Sequence, residues 1–150
     1  MKLQGPIVAR YLDYVPVFEE QKRTAAQREG LRYEAAVLRK LKLACPKMEA
    51  SPWLHYKASN KSGICQPDAL LWLGPDLICI VEIKLSWRAQ ARSKLLDFYG
   101  PVVQAIYPAA NICYWQIYKN ASTKSHKRKL TIYALDKHKS GVYRECHHLS

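Results

Sequence analysis

The sequence predicts an α/β fold, a central mixed sheet with helices on its faces. Three observations carry that prediction. Residues 19–44 are dominated by Ala, Leu, Glu, Arg and Lys, the strong helix formers. Residues 77–84, LICIVEIK, are β-prone and apolar on both faces until their end, the pattern of a strand inside a sheet that is covered on both sides. A second helical stretch, residues 88–107, follows that strand and precedes two more.

In chain order, Leu31, Leu38 and Leu41 share one face of the first helix, with Ala35 beside them. Gly30 is a point where that helix breaks in two, and Pro46 ends it. Residues 52–58, PWLHYKA, alternate weakly and read as a short strand, followed by a turn at Asn60-Lys61-Ser62-Gly63. Residues 64–73, ICQPDALLWL, read as a second strand, and Gly74-Pro75-Asp76 as a tight turn into the third at 77–84. The helix at 88–107 kinks or restarts at Gly100-Pro101. Strands at 111–118 and 130–135 complete the order α-β-β-β-α-β-β. The polar loop between them carries Lys119, Lys124, Lys127, Arg128 and Lys129. It reads as a solvated hairpin loop or as a phosphate-contacting arm, with a slight preference for the arm.

The chain has 150 residues, one domain's worth, and 49% of them are hydrophobic, enough for a packed core. It carries 24 Lys and Arg against 12 Asp and Glu, a formal net charge of +12. That exceeds the roughly 2–8 charges that keep a small domain soluble, and it favours a polyanionic partner such as nucleic acid. After residue 100 the only acids are Asp136 and Glu145, so the last third is the more basic end. No apolar run approaches the ~20 residues of a membrane span, and the N-terminus has no signal-peptide pattern. A soluble, cytoplasmic protein without a membrane partner is expected. The five cysteines are odd in number and form no CxxC, which argues against a disulfide framework or a zinc finger. Cys65, Cys79 and Cys113 lie in apolar strand-like runs and read as small core residues. Cys146-His147-His148 is a weak metal-binding candidate on a tail.

The acids are the unusual feature. Asp68 lies inside an apolar strand and Glu82 near the end of another, where a bare carboxylate is costly without a partner or a metal. Both are equidistant from Pro75, so a hairpin there makes them near cross-strand neighbours. Lys84 shares the face of Glu82. Two carboxylates so close repel unless a cation intervenes, and their hard oxygens suit Mg²⁺ or Mn²⁺. Lys84 would stand beside a metal-bound water and a substrate phosphate, to orient or help deprotonate the water or to balance charge in the transition state. Glu34 falls on the core-facing side of the first helix, either as a boundary residue or as a third carboxylate over the site.

The order Glu34, Pro67-Asp68, Glu82-Ile83-Lys84 resembles the PD-(D/E)XK nuclease superfamily over roughly residues 24–118. The resemblance implies a restriction-endonuclease-like αβββαβ core. It implies Asp68 and Glu82 as metal ligands with the Ile83 carbonyl as another, Lys84 as the catalytic lysine, and Glu34 as a supporting acid. Pro75-Asp76 and Glu20-Gln21-Lys22 repeat the motifs by chance; Asp76 falls in a turn and Glu20 in a polar stretch. Gln104 and Tyr107 stand on the following helix much as in RecB-like and lambda-exonuclease-like members, one residue closer than their usual spacing, and are read as DNA-backbone contacts. The cysteine cluster of the iron–sulfur members is absent. Trp87 is the aromatic best placed to face substrate, while Trp72 and Trp115 read as core. Arg88, Arg92 and Lys94 open the next helix and either bind phosphates or are merely solvated. The expected function is a stand-alone Mg²⁺-dependent deoxyribonuclease, of a kind suited to a phage, mobile-element or repair setting, leaving 5′-phosphate and 3′-hydroxyl ends. The alternatives are a homodimeric junction resolvase of the same superfamily and a non-catalytic basic DNA-binding module. RNA stays open as a substrate, as do endo- versus exonuclease action and a homo-oligomer.

Overall fold

The computed structural model describes residues 2–86, 89–119, 130–135 and 142–147. Helix α1 runs Ala25–Ala44 and starts later than composition suggests. Thr24 caps it. Its hydroxyl accepts from Gln27 N at 3.2 Å, and the Gln27 side chain accepts from Thr24 N at 2.8 Å. This reciprocal box satisfies two amides that a helix start leaves open, so residues 19–24 stay outside. Gly30 does not break the helix, because an interior glycine costs only about 1 kcal/mol relative to Ala. The buried stripe centres on Val37 and Leu41, with Tyr33 and Leu38 packed beside them. Leu31, expected on that face, is exposed. It lies about 80–120° round the helix from Val37 and Leu41.

Six strands form the main sheet: β2 (Met48–Ala50), β5 (Ala69–Gly74), β6 (Leu77–Lys84), β7 (Asn111–Lys119), β8 (Leu130–Leu135) and β9 (Val142–His147). They lie in the order β2-β5-β6-β7-β8-β9. β6 and β7 are parallel, and the other neighbours are antiparallel. β6 is interior, with Ile78 to Ile83 buried, as its two-sided apolar pattern requires. A second sheet holds β1 (Val8–Tyr11), β3 (Leu54–Lys57) and β4 (Ser62–Cys65) in the order β1-β3-β4. The fold is therefore mixed α/β with two sheets.

That division corrects the expected single strand over 64–73. β4 and β5 belong to different sheets, and Gln66-Pro67-Asp68 is the break between them. Pro67 has no N–H to continue a ladder. The predicted strand at 52–58 is real in its centre, yet it pairs with β1 and β4 rather than with the main sheet.

Alternation along β6 sorts the layers. Cys79, Val81 and Ile83 pack against α1. Ile78 and Ile80 face the other way, against Leu95, Tyr99, Val102 and Val103 of the second helical segment and against the small sheet. That segment comprises α2 (Ala89–Lys94), a π-helical turn (Leu95–Tyr99) and α3 (Gly100–Ile106). The expected kink at Gly100-Pro101 is thus displaced one turn earlier. Pro101 has no N–H to offer the Asp97 carbonyl, and its ring crowds that carbonyl, so a wider turn accommodates it. The Asp97 carbonyl accepts instead from Leu3 N at 3.3 Å, and buried Leu3 ties the N-terminal segment to the core. Among the described residues no helix is long and apolar enough to cross a membrane.

Two glycines make opposite tests of this packing. A Cβ on Gly100 would strike the Tyr114 hydroxyl and ring, while one on Gly30 meets nothing within 4 Å. Gly100→Ala is expected to lower unfolding free energy by about 1–3 kcal/mol through overpacking. Gly30→Ala is expected to raise it by about 0.5–1 kcal/mol. Urea denaturation of the two variants checks both signs.

Candidate active site

The β5–β6 hairpin brings the two strand acids together. Ala69 pairs with Val81, and the same register carried past Ala69 sets Asp68 beside Glu82. The bulge at Trp72/Gly74 lies on the turn side and leaves this pairing intact. Ile83 N donates to Asp68 Oδ2 at 2.6 Å. The backbone of Asp68 is fixed as well: Ser51 N donates to its carbonyl at 2.8 Å. Gln66 Nε2 donates to Ser51 O at 2.9 Å, and Tyr99 Oη donates to Gln66 O at 3.0 Å. Ser51 holds a left-handed φ of 49°, a conformation that a non-glycine residue keeps only where its surroundings enforce it.

Glu82 is 1% exposed. Its Oε1 is shared by two ammoniums, Lys84 Nζ at 3.0 Å and Lys94 Nζ at 3.4 Å. Its Oε2 is buried and accepts no hydrogen bond from any described residue. Lys94 Nζ also lies over the Tyr99 ring, 4.9 Å from its centroid. On the other side of β6, buried Gln116 stands in register beside Glu82, and Tyr118 beside Lys84.

The electrostatics are those of a crowded, desolvated anionic pocket. Burial, then the Glu82 charge, pushes the Asp68 carboxyl up to about 7, against the pull of the Ile83 amide. Burial also raises Glu34, which sits close enough to feel Lys84 and Lys94, which lower it, and Glu82, which raises it. Glu34 precedes Val37 by one turn of α1, and so reaches the end of β6 from the opposite layer. For Lys84 burial acts downward, but Glu82, Asp68 and Glu34 outweigh it and the net direction is up. Lys84 is therefore held as an ammonium.

These residues fit a hard divalent cation. Asp68 and Glu82 offer carboxylate oxygens, the Ile83 carbonyl follows Glu82 directly in the strand, and Glu82 Oε2, without a hydrogen bond from any described residue, is a buried acceptor that a cation would satisfy. Among the described residues no three His, Cys, Asp or Glu side chains stand close enough together to hold a metal. Mg²⁺ does not require three, since it is commonly held by one or two carboxylates with waters and substrate phosphates completing the shell.

The structure brings Glu34, Asp68, Glu82 and Lys84 together and separates Gln104 and Tyr107 from them. Gln104 Nε2 donates to the carbonyls of Tyr107, Pro108 and Ala110, closing the end of α3. The Tyr107 hydroxyl pairs with that of Tyr11 at 2.7 Å, and its ring meets Trp72 edge-on, toward the hairpin-turn end of β5. Both serve the fold. Arg92 is half-buried, with Nε buried and without a hydrogen bond to any described residue. Trp87, Arg88, Lys124, Lys127, Arg128 and Lys129 lie outside the described residues. Sequence reasoning missed Ser51, Gln66, Tyr99 and Gln116. Of these, Gln66 and Gln116, polar residues in apolar strand-like runs, carry a signal like that of Asp68.

Comparison of the chain with protein families, with curated proteins and with solved structures finds no match.

The raised Asp68 carboxyl has a thermodynamic consequence. Its folded pKa of about 7 lies above the ordinary 3.8, so between those values the folded chain binds more protons than the unfolded one. Stability from this group is complete below about pH 4 and is lost as pH rises through about 7. In chelator, Asp68→Asn is expected to gain stability over wild type between about pH 4.5 and 7.5, read from urea midpoints. A difference constant across that window would contradict the assignment.

Proposed function

We propose that the chain is a divalent-metal-dependent deoxyribonuclease of the PD-(D/E)XK kind. One observation carries the reading: Glu34, Asp68, Glu82 and Lys84 come from three elements to one end of β6, with a buried oxygen of Glu82 left over. The arrangement around it supports the reading. A helix with an acid lies on one face, an antiparallel pair carries Asp68 and Glu82-Ile83-Lys84, and a helical crossover leads to a parallel strand. That arrangement supports reading the mixed α/β fold as a restriction-endonuclease-like core. The net charge of +12 suits a polyphosphate partner.

In this reading Asp68, Glu82 and the Ile83 carbonyl would hold Mg²⁺ or Mn²⁺, and the ion would supply a more acidic water and Lewis-acid stabilisation of the phosphoryl oxygens. The Ile83 amide fixes the Asp68 carboxylate at 2.6 Å, so that its other oxygen is free to face the cation. Lys84, held protonated, is aimed at negative charge that develops on the phosphate. Glu34, close enough to feel Lys84, Lys94 and Glu82, would be the acid that supports the metal or its water. Burial of Glu82 keeps solvent from screening these charges.

Incubation with Mg²⁺ and four DNAs tests the proposal: linear duplex, nicked circle, single-stranded circle and four-way junction. Wild type is expected to cleave at least one of them. Asp68→Ala, Glu82→Ala and Lys84→Ala are each expected to lose at least ~10²-fold in rate while melting cooperatively. Loss of linear DNA alone means end-dependent exonuclease action, and paired nicks in the junction mean a resolvase. Full activity in Glu82→Ala, or binding by wild type and variants alike without cleavage, sinks the nuclease reading.

A further inference from the structure

The geometry points to Lys94 as a second phosphate-binding residue of this site, paired with Lys84 and positioned by Tyr99; the inference rests on the nuclease reading and extends it to the substrate's contacts. The sequence offers Lys94 only as one of three basic residues on a helix. The structure gives it a particular place. Lys84 and Lys94 place two ammoniums on one oxygen of Glu82, at 3.0 Å and 3.4 Å. Glu82 takes one of the three donors of Lys94. The Lys94 side chain is 47% exposed, against 37% for Lys84, so the remaining donors have access to solvent at the mouth of the site. A phosphate oxygen approaching Lys84 comes within reach of Lys94 too, because both ammoniums touch one atom.

The backbone is shaped to hold it there. Lys94 and Tyr99 are five residues apart, about 140° round a regular α-helix, where they could not meet. The turn Leu95–Tyr99 is π-helical, with Gly100 N bonding Leu95 O, and i→i+5 bonding brings residues five apart to neighbouring positions. The Tyr99 ring can then carry the Lys94 ammonium, at 4.9 Å from its centroid. The Tyr99 hydroxyl meanwhile anchors the Gln66 carbonyl ahead of Asp68. One side chain thus sets both the second ammonium and the loop of the first carboxylate.

Charge makes the role specific. Glu34, Asp68 and Glu82 face Lys84 and Lys94, a net charge of one minus when all are ionised. A bound divalent cation turns that to one plus, opposite in sign to a phosphodiester. With Lys94 made neutral the same loaded site carries no net charge, and it loses its attraction for the anion before it loses its cation.

The test uses the full chain with a fluorescent duplex of about 20 base pairs. Binding is measured against salt in Ca²⁺, and cleavage in Mg²⁺ at saturating DNA. Lys94→Gln is expected to lower the slope of log Kd against log salt by about 0.9, the loss of one phosphate contact. It should also lower the saturated cleavage rate by about 10²-fold. Lys94→Arg should restore the slope and most of the rate. Lys57→Gln removes an equal charge from an exposed position on the small sheet and should leave the slope unchanged. If wild type cleaves and Lys94→Gln matches it in slope and rate, the inference about Lys94 falls and the nuclease reading stands. If wild type binds without cleaving and Lys94→Gln still loses the slope, Lys94 is a phosphate contact and the nuclease reading falls. Equal loss in Lys94→Arg and Lys94→Gln with an unchanged slope means a packing role and overturns the inference.

Discussion

Everything at the end of β6 depends on one unfavourable fact: the Glu82 carboxylate is buried beside two other carboxylates. Desolvation and the charge of Glu82 both oppose ionisation of Asp68. The fold offsets them with a backbone amide on Asp68 and with two lysines on a single oxygen of Glu82. The offset is incomplete, since Asp68 still holds its proton up to about 7 and Glu82 Oε2 has no described partner. A structural ion pair would be expected to close its own accounts with both oxygens satisfied. This one leaves a buried acceptor without a described partner, and that asymmetry is what supports the proposed binding pocket over a mere stabilising cluster.

The scaffold explains why such a pocket can persist. β6 is covered on both faces, by α1 through Val37 and Leu41 and by the second helical segment through Leu95 and Tyr99. Only its two end residues, Leu77 and Lys84, emerge. Acids placed there can be desolvated by the layers without sitting in the middle of the core. The loop carrying Asp68 is braced from three sides, by Ser51, by Tyr99 through Gln66 and by Ile83. Pro101 contributes from a distance, because the turn it forces places Tyr99 and Lys94 over the site.

What the sequence makes legible follows the range of its signals. The hairpin register is readable because a turn fixes it: Asp68 and Glu82 flank Pro75 symmetrically, and the strands keep that symmetry up to the site. The interior place of β6 is readable because both faces are apolar. Glu34 is readable from helical spacing, although the stripe that buries it is Val37 and Leu41 rather than the one through Leu31. The edge strands β1 of the small sheet and β2 of the main sheet are not readable. They are four and three residues long, and their partners lie far off in sequence, so no local pattern announces them. The split at Gln66-Pro67-Asp68 was hidden because apolar residues continue on both sides of Pro67. The π-helical turn was hidden because its cause, Pro101, reads as a simple restart. Gln104 and Tyr107 are the reverse case, a helix-end amide and a partly buried ring whose structural contacts their spacing does not reveal.

The central claim is that Asp68 and Glu82 form a binding pocket for a divalent cation. Titration of the purified chain with Mn²⁺ at about pH 8, where Asp68 is ionised, tests it directly by calorimetry or by the loss of the free-ion electron-spin signal. The account predicts saturable binding by wild type, its loss in Asp68→Asn and Glu82→Gln, and its retention in Lys94→Gln. Equal binding by wild type, Asp68→Asn and Glu82→Gln, or no binding by wild type, would contradict it.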